Sequence, residues 1–306
     1  MVQAAAISQK AGKPVKMTWS REQDMQHDMY KAAGWHRLRG AVDGKGNLVA
    51  WQDHFVTPGV QSADEPGRGA GISPDEFPCR FVPNFKLDQT VLNTDVPLGW
   101  WRAPGSCSLA FVTQCFLDEL AHAAKSDPLQ FKLNVLGDSA HPGAGKNSPE
   151  YHGGRMSAVV ARAAKMIGWG QSLPKGEGLG VAFHFSHRGY VAIAAHVAVS
   201  QQGSLMVKRT TAAVDVGETI MNLSGAENQV EGSIVDALST AMGLEITIAN
   251  GAVQQSNFHD YPLLRLPATP KIEVEFISTP FPTTGLGEPA FPPLAPAVAN
   301  AVFAAT

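Results

Sequence analysis

Val191, Ile193, Ala195, Val197 and Val199 alternate with other residues, and a period of two commits this stretch to a β-strand with a buried face. Gln201-Gln-Gly-Ser204 then turns the chain into a second strand through Val207 toward Val214. In residues 226–242 the period changes. Val230, Ile234, Leu238 and Met242 form one helical stripe, which a hairpin with an apolar face needs as cover. Ile272, Val274 and Phe276 predict another strand, followed by a loop over 280–289 and a final helix.

The first half reads the same way. Residues 1–12 suggest a helix ending at Gly12, and 15–19 a short strand. Residues 35–42 and 48–55 flank Asp43-Gly-Lys-Gly46, a hairpin signal, and the Gly-, Pro- and Asp-rich stretch 57–80 reads as a long surface loop. Leu109, Val112, Phe116 and Leu120 predict a helix over 107–125, and Asp127-Pro128 opens another, because proline suits the first helical turn. A linker is expected over 141–151, then a helix over 155–167 with Val159, Ala163 and Ile167 on one face. The fold class is therefore α+β, mixed α/β, with two sheet-and-helix units. Its expected divisions are 1–138, a linker and helix over 139–175, and 176–306. Both ends fall inside helical patterns, as expected of a cut segment.

Composition narrows the function. A net charge of −3 gives no reason to expect a nucleic-acid partner, and no apolar run reaches the roughly 18 residues needed for a membrane span. Three cysteines, Cys79, Cys107 and Cys115, cannot supply the roughly four ligands of an iron–sulfur cluster, and they show no zinc spacing. Cys115, in an apolar helical stretch, reads as a small buried hydrophobe.

Thr284-Gly-Leu-Gly-Glu-Pro-Ala290 is the most informative loop. Gly285 and Gly287 let the backbone pass close to a bulky ligand, and Glu288 precedes a helix whose free N–H groups favour anions. Glu288 thus serves either as a general base or as an N-capping or surface residue. Trp100-Trp-Arg-Ala-Pro-Gly-Ser106 precedes the 107–125 helix, so Arg102 and the turn amides either cradle an anionic ligand or close a tight turn with Arg102 on a carboxylate. Asp215-Val-Gly-Glu218 and Gln229 stand where a strand hands over to a helix, a common ligand position. His184 and His187 sit where a strand begins, and strand geometry opposes them. Metal ligation is rejected there in favour of a ligand-facing or packing loop. His27, His36 and His54 read as ordinary fold histidines.

Taken together, these stretches resemble the large subunits of molybdenum hydroxylases of the xanthine dehydrogenase and aldehyde oxidase family, in the isoquinoline 1-oxidoreductase beta-subunit branch. The resemblance rests on Lys13-Pro-Val-Lys-Met-Thr-Trp-Ser-Arg-Glu22, Arg102-Ala-Pro-Gly105, Asp118-Glu-Leu-Ala121, Asp127-Pro128 and Asn228-Gln-Val-Glu-Gly232. Gln255-Ser-Asn-Phe258, Gly285-Leu-Gly-Glu-Pro289 and Ala295-Pro-Ala-Val-Ala-Asn300 complete an ordered set along nearly the whole chain. It implies the C-terminal part of a first molybdopterin-binding domain over 1–138 and a second such domain over 176–306, truncated at its C-terminus. It also implies a molybdopterin cofactor in its cytosine dinucleotide form, with no protein ligand to the molybdenum.

Glu288 would then be the base that activates a water-derived oxygen for attack on an aldehyde carbonyl or a ring carbon beside nitrogen. Arg102, Ala103, Pro104, Gly105, Gln229, Gly287, Ser186 and Gly189 would line the cofactor. The implied partners are an N-terminal half of the large subunit, a small subunit with two [2Fe-2S] clusters that takes the electrons, and a small-molecule substrate. Met221-Asn222-Leu223 departs from the family's asparagine–proline pair, which affects the local turn. Compartment stays open between cytoplasm and periplasm. A non-catalytic fragment acting only in interaction or assembly is the alternative. A metal-independent hydrolase is disfavoured because no G-x-S-x-G elbow is present.

Overall fold

The computed structural model describes residues 1–60, 65–143 and 149–306. Parts of the expected 57–80 loop and 141–151 linker lie outside these residues. Strands β1 (Trp35–Val42), β2 (Leu48–Val60) and β3 (Asn84–Thr94) form one sheet in that order, with β1 antiparallel and β3 parallel to β2. Helix α1 (Val2–Ala11) ends at Gly12, in the left-handed region. The predicted 15–19 strand does not form, since that segment finds no pairing edge. Helix α2 (Arg21–Gln26) follows instead, started by a capping box in which Ser20 accepts from the Gln23 amide. The 57–80 stretch is less superficial than expected: β2 runs on to Val60, and buried Ala70 accepts at 2.9 Å from the Thr57 hydroxyl.

Helix α3 (Ser106–Ala123) lays Leu117, Leu120 and Ala121 into the core, while Phe116 meets Trp51 of β2 edge-on at 4.9 Å. Helix α4 (Pro128–Leu136) is capped by Asp127, which accepts from the Gln130 amide at 2.9 Å. Buried Lys132 of α4 pairs with Asp118 of α3, and burial pulls its ammonium down to about 7. The Cys115 thiol is pushed up to about 12 by burial, so it stays protonated and inert, as its apolar setting suggested.

Helix α5 (Gly153–Ile167) belongs to the second sheet, which runs β7-β6-β5-β4. Its strands are β4 (Glu177–Ser186), β5 (Gly189–Val199), β6 (Leu205–Asp215) and β7 (Lys271–Phe276), with only β7 parallel to its neighbour. Both faces of this sheet are buried. Tyr190, Ala192 and Ala194 of β5 share a core with Met156, Val159 and Ala163 of α5, and with α3 and β2 of the first unit. Val191, Ile193, Ala195 and Val197 point the other way, onto helices α6 (Leu223–Gly243) and α7 (Leu294–Ala305). The two units therefore share a continuous core. Asn222, where the family pattern is broken, caps α6 by accepting from the Gly225 amide at 2.9 Å. No helix among the described residues is long and apolar enough to cross a membrane.

Candidate functional site

The loop bearing Glu288 is held from below before it crosses to α7. Thr284 donates its amide to the Val216 carbonyl at 2.8 Å, Glu218 to that of Phe281 at 3.0 Å, and Thr219 to the Thr283 hydroxyl at 3.1 Å. Beneath them Asp215, 1% exposed, takes two bonds from Arg155 at 2.7 and 2.6 Å and one from Thr279 at 2.8 Å. The Arg155 guanidinium also lies 4.3 Å from the ring centres of both Tyr190 and Phe281. Asp215, which the sequence placed at a ligand junction, is thus spent on a structural clamp.

Glu288 meets the Trp-Arg-Ala-Pro turn from far along the chain. Its Oε2 accepts from the Ala103 amide at 2.9 Å. Ala103 is 1% exposed and held at φ 54, a left-handed conformation costly for a residue with a Cβ. The strained turn aims an amide at the carboxylate. Arg102 reinforces the meeting by donating to the Gly287 carbonyl at 2.7 and 3.3 Å and to the Gln229 side-chain oxygen at 3.1 Å, with Asp236 at 3.4 Å. Arg102 therefore braces the Glu288 loop against α6, engaged with protein groups that include the Asp236 carboxylate.

The third wall is the β4–β5 hairpin. Ser186 pairs with Gly189, and the two residues between them, His187 and Arg188, both have positive φ, at 53 and 63. That is the geometry of a type I′ turn, which ordinarily takes Asn-Gly. The turn brings His187 Nε2 to 3.4 Å from Glu288 Oε1, near enough for an ion pair when the ring is protonated. His187, Arg188, Gly285, Gly287, Glu288 and Pro289 line an open hollow of about 590 Å³.

Of the residues singled out beforehand, Arg102, Ala103, Gln229, Gly287 and Glu288 are in mutual contact, and Ser186 and Gly189 frame the turn that adds His187. Pro104 and Gly105 lead away into α3, the Pro104 carbonyl accepting from Lys31 at 2.8 Å. By sequence His187 is only part of a ligand-facing or packing loop, and Asp236 has no role. The strained turn of His187 left no local signal, and Asp236 looks like any polar residue on the stripe opposite the apolar one. His36 behaves as a fold residue, paired with Asp53 at 2.8 Å and stacked on Phe55.

His184 is buried on β4, and burial, reinforced by the charge of His187, depresses its imidazole to about 4. The unfolded chain binds this proton near pH 6.5 while the folded one resists it. The resulting stability is complete above about 6.5 and is lost as pH falls toward about 4, amounting to about 3 kcal/mol. Replacing His184 with phenylalanine should flatten that part of the stability–pH curve in denaturant titrations. An unchanged slope would show that His184 is not the group responsible.

The hollow is roomy in front of the carboxylate. A Cβ built on Gly285 or Gly287 meets nothing within 4 Å, so both glycines leave room in front of Glu288. Among the described residues no group of three or more His, Cys, Asp and Glu is placed to hold a metal ion.

A molybdopterin cofactor-binding domain model matches residues 1–136, and a second model of that description matches 152–270. The chain is 32% identical to a membrane-bound aldehyde dehydrogenase [pyrroloquinoline-quinone] of Gluconacetobacter polyoxogenes, over 98% of this chain and 41% of that one. It is 29% identical to isoquinoline 1-oxidoreductase subunit beta of Brevundimonas diminuta, over 98% of this chain and 38% of that one. The chain thus spans about two-fifths of the length of these relatives. In fold it resembles quinoline 2-oxidoreductase from Pseudomonas putida 86, with a TM-score of 0.82 at 13% identity, covering 99% of this chain and 63% of that one. Aldehyde oxidoreductase from Desulfovibrio gigas follows, with a TM-score of 0.77 at 12% identity over 99% of this chain and 50% of that one.

Proposed function

Because the chain belongs to the family of molybdopterin-binding large subunits of molybdenum hydroxylases, we propose that it forms the base-bearing wall of a hydroxylase active site, with Glu288 as the general base. The observation that carries this is the fixed carboxylate: one oxygen is anchored on the Ala103 amide and the other faces the open hollow beside His187. A carboxylate held at one oxygen keeps a lone pair aimed at an incoming water-derived nucleophile, which is what a general base requires.

Gly285, Gly287 and the hairpin from Ser186 to Gly189 would hold the cofactor, with Gln229 and Arg102 behind them. When bound, molybdopterin supplies a Lewis-acidic metal and a sink for two electrons. The protein's part is to keep Glu288 oriented and to accept the proton. The cytosine dinucleotide form and an iron–sulfur partner taking the electrons are part of the same proposal. The substrates in this reading are aldehydes or N-heteroaromatic rings. A chain that acts only in assembly is the other outcome to be tested.

The name of one relative points to pyrroloquinoline quinone, so the first measurement distinguishes the two redox groups. Elemental analysis of the assembled protein should find roughly one molybdenum per chain. Released quinone with no molybdenum would overturn the proposal, and neither group would favour the assembly role.

Arg102→Ala tests the bracing. Without its bonds to the Gly287 carbonyl the loop loses register, and a misplacement of about 1 Å lowers turnover roughly 100-fold. Lysine should not rescue it, because a single ammonium cannot reach Gly287 and Gln229 together. Unchanged kcat and molybdenum content would show the brace to be dispensable.

A further inference from the structure

A second cavity, of about 270 Å³, adjoins the Glu288 hollow, and His187 lines both. Its walls come from the 73–80 segment, the start of α3, Tyr151 and the end of β4. Phe77, Phe183, Phe185 and Pro149 are the apolar parts of the lining, and polar side chains make up the rest. The hydroxyls of Tyr151 and Ser186 and the Arg80 Nε–H are buried with no hydrogen-bond partner, and Tyr151 is only 5% exposed. The His184 ring adds a polar edge with no hydrogen bond to the described residues. Glu76, partly buried at the same cavity, has its carboxyl raised to about 7 by burial.

Leaving such groups unsatisfied costs about 1–3 kcal/mol each, so the chamber has to be wet. At about 30 Å³ per molecule it has room for roughly nine waters, each with polar neighbours to bind. Hydroxyl groups and imidazole both accept and donate hydrogen bonds, as a relay requires. The chamber also reaches the one partner of Glu288 that can carry a proton, since His187 Nε2 stands 3.4 Å from its Oε1.

We propose that this chamber is a hydrated proton path that drains the active site. His187 takes the proton from Glu288, and water passes it along Ser186 and Tyr151 to Glu76 and out to solvent. The inference rests on Glu288 being the base. Each passage moves one proton from the Glu288 carboxyl to solvent and restores the carboxylate, with no electron transferred. His187 gains the proton at Nε2 and releases one from its other ring nitrogen. Glu76 is a positioning residue in this scheme, acting on the reaction only through water and His187. Asp75, Cys79, Arg80, Tyr151 and His184 are the titratable or charged groups around Glu76 and its cavity, and His187, Arg188 and Arg102 are those beside Glu288.

Two variants test the path in the assembled enzyme. Glu76→Gln keeps the shape of the side chain and should lower kcat roughly tenfold at neutral pH. Molybdenum content should be unchanged, and the lost rate should return when imidazole or formate is added as a diffusible proton carrier. Tyr151→Phe should show a smaller loss with the same rescue.

A readout independent of turnover is a high-resolution crystal structure of this chain, in which ordered waters should run from His187 to Glu76. A dry chamber, or full turnover with an unchanged pH profile in Glu76→Gln, overturns the path. If Glu288→Gln remains active, the base assignment itself fails and takes the path with it. If Glu288→Gln is dead while Glu76→Gln is normal, only the path fails.

Discussion

Glu288→Gln in the assembled enzyme is expected to keep its cofactor and to lose turnover by about 10²–10⁴-fold, the usual contribution of a positioned base. Glutamine has the same shape, and its carbonyl oxygen can still accept from the Ala103 amide, so the loop and the hollow should survive the change. What is lost is the basic oxygen that faces the hollow beside His187. Molybdenum analysis and kcat have to be measured together. Normal metal with collapsed turnover isolates the chemical step, whereas loss of both would mean that Glu288 holds the cofactor in place. Retention of more than about a tenth of the wild-type rate is incompatible with the role of base.

Gly180→Ala should have the largest effect on stability. Gly180 lies on β4 where α7 crosses it, and an added Cβ would stand 2.2 Å from the Ala297 carbonyl oxygen and 2.4 Å from the Ala301 nitrogen. Both obstacles are backbone, so no side chain can rotate away. Strand and helix would have to separate along a contact that also includes Gly178, whose Cβ would sit 2.2 Å from the Ala301 carbonyl. The cost should be about 3 kcal/mol or more, at or beyond the upper end of ordinary overpacking. Gly232→Ala is the control: it is exposed on α6 with nothing within 4 Å, and alanine there should add about 0.5–1 kcal/mol. Thermal unfolding of the two variants should move in opposite directions. Equal melting temperatures for Gly180→Ala and the parent would mean that the strand–helix approach is looser than described.

The same glycines explain part of what sequence reading overlooks. No strand is predicted over 177–186, where Gly178 and Gly180 interrupt the apolar run. They are there to admit a helix. The third strand of the first sheet is overlooked although Phe85, Leu87 and Val91 share its period of two, because charged and polar residues between them resemble a loop. Helix α2 is legible in the Ser20–Gln23 capping box, yet six residues carry no apolar stripe to draw attention. The expected strand at 15–19 shows the reverse error. An extended run becomes a strand only when a neighbour offers a free edge, and nothing in the local sequence reports that.

For the site, the Gly-Leu-Gly-Glu-Pro loop, the Trp-Arg-Ala-Pro-Gly turn and Gln229 are all legible in the chain. So are the main helices and the central hairpin, whose periodicity reflects short-range sterics and the need to bury one face. Their convergence is not. Glu288 and the Ala103 amide are 185 positions apart, and His187 reaches the carboxylate only through a strained turn that pairing of β4 with β5 imposes. Whether a polar side chain becomes a base, a brace or a clamp depends on which distant groups surround it after packing. Arg102, Asp215 and His187 acquire their roles there, because hydrogen bonds and burial act between neighbours in space and leave no period along the chain.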